Sequence, residues 1–107
     1  YLTTIGSAIH QMPGAAEFGT AYAAKFGPLG AYSAYAYEAT NIAIWAIRKA
    51  GTKDRAAVLA AMKTLKDRPG LFGLQNFDER GDSLIRDIGI FTVQNGKFKF
   101  VKTATWD

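Results

Sequence analysis

The residues able to do chemistry are few and scattered along the chain. Its one histidine, His10, shares a loop with Ser7, and there is no cysteine. Ser7 and His10 have the types of a nucleophile and its base. No carboxylate stands nearby to orient the ring, and no elbow motif surrounds Ser7. A transition-metal site needs several nitrogen or sulfur ligands, which one histidine without cysteine does not supply. Asp78, Glu79 and Asp82 cluster around Gly81. A calcium loop of the EF-hand type places oxygens at alternating positions and ends on a distal Glu, whereas Arg80 sits in the middle here and no such Glu follows. Gly27, Gly30, Gly70 and Gly73 lack the spacing of a phosphate-binding loop. The expectation is a loop histidine and a tight polar turn, with no catalytic centre, metal or cofactor.

The tyrosines carry more information. Tyr32, Tyr35 and Tyr37 crowd the start of the longest helical pattern. Tyr35 and Tyr37 are expected to pack into the core. Tyr32 lies beside the Gly30 connector, where a ring can face a cleft while the helix N-terminus offers unpaired N–H groups to an anion.

These residues need elements to position them. Tyr1 to Ile5 reads as a short strand ending at Gly6, with no parallel neighbour to be found within the chain. Ala15 to Phe26 reads as a helix with Phe18, Tyr22 and Phe26 on one stripe, stopped by Gly27 and Pro28. Ala31 to Ala50 is a long helix with Tyr35, Ala39, Ile42, Ala46 and Ala50 on one face and further apolar residues around much of the rest, so cover on several sides is expected. Asp54 can N-cap a third helix whose buried stripe is Val58, Leu59, Met62 and Leu65, with Pro69-Gly70 as its stop. The last third then changes to an alternating period. Leu71 to Phe77 is extended, and 88–93 alternates as a strand. Asn95-Gly96 suits a type I′ hairpin turn, and Phe98 and Phe100 occupy the face of the return strand expected to be buried.

With 107 residues and 49 % hydrophobic content the chain is sized for one small packed domain. The net charge of +4 is spread singly or in pairs among acidic residues, so no basic stripe for nucleic acid is expected. The absence of cysteine suits the cytoplasm and the periplasm equally. No basic-then-apolar leader precedes the first strand, which leads us to expect that upstream sequence exists.

Four stretches in order resemble the branched-chain amino acid (Leu/Ile/Val) type of periplasmic solute-binding protein of ABC transporters. They are Ala31-Tyr32-Ser33-Ala34-Tyr35-Ala36-Tyr37-Glu38-Ala39, the junction from Ala50 to Val58, the G-x-x-G-x-x-x-F-D-x-x-G-D segment from Gly70 to Asp82, and the hairpin from Val93 to Phe98. The resemblance implies an α/β chain that forms the C-terminal part of a two-lobed type I periplasmic-binding-protein fold, with three helices, short strands and a terminal hairpin. It implies that 1–27 ends one lobe, 31–77 belongs to the other, and 83–107 returns to the first. It also implies extracytoplasmic capture of a small solute, an amino acid or small organic acid, and delivery to a membrane permease. A sensor of the same fold is the alternative. Tyr32 would contact the solute, and the loop carrying Thr4, Ser7 and His10 would lie toward the cleft. An isolated piece of this kind is expected to associate with itself.

Overall fold

The computed structural model describes residues 1–6, 8–12 (His10 by its backbone alone) and 14–106. Strand β1 is Leu2–Ile5. A single 3₁₀ turn at Ile9–Gln11 leads to helix α1, Ala15–Phe26. Helices α2, Ser33–Ala50, and α3, Arg55–Met62, follow. Short strands β2, Arg68–Gly70, and β3, Gly73–Gln75, form one antiparallel hairpin. The long strands β4, Asp87–Gln94, and β5, Lys97–Thr105, form another. The architecture is the expected α/β one, with three helices, short strands and a terminal hairpin.

Local chemistry explains these boundaries. The Asp54 carboxylate accepts from the Ala57 N–H at 2.9 Å, an N-cap that satisfies one of the orphan donors opening α3. Gly51 closes α2 in the left-handed conformation with φ of 66°. At the β4–β5 turn Asn95 and Gly96 both have positive φ, 51° and 72°, as a type I′ turn requires. The turn from Asp78 to Asp82 is tied by the Asp78 Oδ1, which accepts from the N–H groups of Arg80 at 2.9 Å and Asp82 at 2.8 Å. This is the polar turn expected from the sequence.

The first strand does have a neighbour. Leu2 to Ile5 pairs antiparallel with Phe91 to Ile88, giving a sheet in the order β1–β4–β5. An antiparallel partner needs no crossover, so a strand without a parallel neighbour is not left single.

Other expectations are corrected. Helix α2 begins at Ser33 rather than Ala31, with Tyr32 as its N-cap residue. Its buried stripe is Ala34, Glu38, Ile42 and Ala46, one residue away from the expected Tyr35 and Ala39. The shift follows from Glu38, a carboxylate whose pairing keeps it inside. Helix α3 ends at Met62, and Pro69-Gly70 lies in β2, well past the helix end. On α3, Ala61 is buried whereas Leu59 is exposed. A face of β5 was expected to be covered, yet Phe98 is 73 % exposed and stands opposite Val93, itself exposed. Nothing in the described residues packs over that end of the hairpin.

The core is thin. The buried apolar residues are Ala8, Met12, Ala34, Ile42, Ala46, Ala61 and Leu65, and among the described residues no large side chain is fully enclosed. The molecule measures 52 × 37 × 19 Å with a radius of gyration of 15.9 Å. A compact domain of this length has a radius of about 13 Å. No described helix is long and apolar enough to cross a membrane.

Candidate functional site

The short turn after β1 brings three elements together. Gly6 has φ of 74°, a region that favours glycine, and its N–H donates to the Asp87 carbonyl at 2.8 Å. The chain can thus leave β1 while still tied to β4. A side chain at this position would also overlap the Tyr35 hydroxyl oxygen. Gly6→Ala is therefore expected to destabilise the protein by about 2 kcal/mol or more, from left-handed strain and steric overlap together. A urea-unfolding midpoint equal to that of the parent would contradict this.

Tyr35, expected in the core, is only half-buried. Its ring stacks on Phe72 with centroids 4.5 Å apart and planes at 20°. Its hydroxyl donates to the Ile5 carbonyl at 2.6 Å. Burial raises the Tyr35 hydroxyl above its ordinary pKa, and the neighbouring Tyr32 adds to the rise. The group stays protonated, and so a donor, across the neutral range. Tyr37 is half exposed, and its ring meets Phe18 of α1 at 4.8 Å.

Two cavities flank Tyr35. One, of about 520 Å³, is bounded by Ile42, Met62, Phe72, Phe77, Ile85 and Trp106. Glu38 and Gln75, both buried, reach its wall. Glu38 is held from both sides: Arg68 donates to it at 2.5 Å and the Leu71 N–H at 2.8 Å. Gly70 passes so close that a side chain there would overlap the Glu38 carboxylate. Gln75 is different, since its Nε2 meets no acceptor among the described residues.

The second cavity, of about 510 Å³, lies between β1 and the start of α2. Thr3 and Thr4 border it on the β1 side, Leu29 and Tyr32 on the α2 side, with Tyr35 and Phe91 between them. Tyr32 is 71 % exposed. As N-cap residue it makes no side-chain capping bond, which leaves its ring available to the cleft. Ser33 Oγ accepts from the Gly30 N–H at 3.0 Å and donates to the Tyr22 hydroxyl at 3.1 Å, fixing the connector against α1.

Of the residues singled out from the sequence, Thr4 and Tyr32 border this one cleft. Ser7 lies outside the described residues, as does the His10 side chain. Among the described residues no group of three His, Cys, Asp or Glu side chains gathers in one place. Sequence reasoning missed Glu38 and Gln75, which only their partners and surroundings distinguish from surface residues. It also missed the position of Tyr35 between the two cavities.

The fold has known counterparts. The chain is similar to a leucine-binding protein, LivK, from Thermotoga maritima, with 28 % identity and a TM-score of 0.79, over 96 % of this chain and 30 % of that one. A type 1 periplasmic binding protein from Bordetella pertussis Tohama I is 26 % identical with a TM-score of 0.67, over 92 % of this chain and 32 % of that one. An ABC transporter substrate-binding protein from Desulfitobacterium hafniense, at 24 % identity and a TM-score of 0.68, shares the fold over 79 % of this chain and 26 % of that one. No curated protein matches the sequence. The chain thus spans about a third or less of the length of these structures. They are binding proteins rather than enzymes, in keeping with a chain expected to have no catalytic centre. The periplasmic binding protein profile matches residues 2–97, and the chain belongs to that family.

Proposed function

We propose that this chain supplies part of the solute cleft of an extracytoplasmic binding protein that captures an amino acid or small organic acid and hands it to the permease of an ABC transporter. The observation carrying this reading is the cavity of about 510 Å³ with Thr4 and Tyr32 on its two sides. Its described lining has no Asp, Glu, Lys or Arg side chain. This portion of the cleft suits the apolar or aromatic part of a solute, while charged ends would be met by residues beyond this chain. The leucine-binding relative fits such a solute. The two-lobe assignment of 31–77 against 1–27 and 83–107 is supported by one sheet that joins residues 2–5 to 87–105.

The test is a thermal-shift screen of L-amino acids and aromatic acids on the longer protein, because a compound that binds only the folded state raises its melting temperature. L-leucine is the first probe. Tyr32→Ala should weaken binding of whichever compound shifts the parent by about tenfold or more, as for an aromatic anchor. The melting temperature without that compound should stay at the parent value, since the ring is largely exposed. A screen without a binder, or a variant that binds like the parent, would overturn the reading.

A further inference from the structure

We propose that Tyr35 is the positioning residue of this cleft, tying the first turns of α2 to the end of β1 so that the Tyr32 and Thr4 walls stand at a fixed separation. The proposal rests on the cleft reading above.

Two groups of elements meet here. Helix α2 packs on α3, and β1 pairs with β4 in the sheet. The Tyr35 hydroxyl crosses from the first group to the second and reaches a backbone carbonyl, Ile5, at 2.6 Å. That carbonyl lies at the very end of β1, next to Thr4 of the cleft wall. The donor lies one turn into α2, next in the helix to Ala34 and three residues after Tyr32. The ring cannot swing freely, because Phe72 stacks on one side of it. Gly6 leaves the hydroxyl its place, since any side chain there would occupy it. Tyr35, Ile5 and Met12 border both cavities, so both partners of this bond line the two of them. Ser33 and Tyr22 hold the other side of the turn against α1. Without the tie, α2 could pivot about its N-terminal end, and an 18-residue helix some 27 Å long would carry that rotation to its far end.

The experiment is a pulsed electron-spin distance measurement on the longer protein without added solute. Spin labels are placed at exposed Arg48, in the last turn of α2, and exposed Lys99, on β5. Tyr35→Phe keeps the ring and its stacking on Phe72 and removes only the hydroxyl. The parent should give one narrow distance distribution, and Tyr35→Phe a broader one or a second, displaced population, with an unchanged circular dichroism spectrum. Gly6→Ala, which displaces the hydroxyl from the other side, should broaden it in the same way. A Tyr35→Phe distribution that superimposes on the parent overturns the proposal, whatever the cleft binds. The cleft reading fails separately, through Tyr32→Ala binding solute like the parent.

Discussion

Taken out of the longer protein, the 107-residue chain is expected to associate with itself at micromolar concentration, sedimenting as species heavier than 11.6 kDa and binding a hydrophobic dye. The argument is one of surface. A compact protein of this mass exposes roughly 5,800 Å². This chain exposes 7815 Å². The difference of about 2,000 Å² exceeds what a standard protein interface covers on both partners together. Much of it is apolar: Ile5, Phe26, Leu59, Leu74, Val93 and Phe98 are each more than half exposed. The sheet leaves β1 and β5 with one open edge each, which can pair with a second copy. The buried Gln75 amide, which meets no acceptor among the described residues, leaves one more polar group open to a partner. A sharp monomer boundary without dye binding would contradict the expectation.

Replacing Glu38 by Ala should cost the longer protein about 3 kcal/mol of stability, the low end for breaking a buried pair. Glu38 is 6 % exposed in its side chain and Arg68 22 %, so Arg68 regains some water when its partner goes, which moderates the loss. The Leu71 N–H does lose its acceptor, and with it the tie between α2 and the β2–β3 hairpin. Glu38→Gln keeps an acceptor for that N–H and should cost about half as much. Replacing Glu38 and Arg68 together by Met removes both charges and should approach the parent more closely than Glu38→Ala does. Urea unfolding of the set settles it, and a loss below about 1 kcal/mol for Glu38→Ala would show that the pair is solvated.

Features encoded by one or two residues were plain: the Asp54 cap, the Gly51 stop, the Asn95-Gly96 turn and the Asp78 turn each rest on local backbone chemistry. The likeness of four stretches to a known family gave the architecture and brought Tyr32 and Thr4 forward as site residues. What failed depended on partners distant in sequence. Periodicity could not show that Glu38 lies inward, because that depends on Arg68 and on the Leu71 N–H some thirty residues away. Nor could it show that Leu59 and Phe98 lie outward, since apolar side chains stay exposed when no neighbour arrives to cover them. The β2–β3 hairpin was missed because Pro69-Gly70 reads as a helix stop and Leu71 to Phe77 as one extended piece, whereas the chain reverses between Gly70 and Gly73, the latter at φ of 100°.

Tyr35 and Glu38 sit on adjacent turns of α2, one gripping the end of β1 and the other the β2–β3 hairpin. On the proposal that Tyr35 positions α2, the helix is a lever with two hitches near its pivot. A rotation of that turn drags a strand end and a hairpin in concert, while the long arm toward Ala50 magnifies the motion. A solute held by Tyr32, as proposed, would push on the short arm.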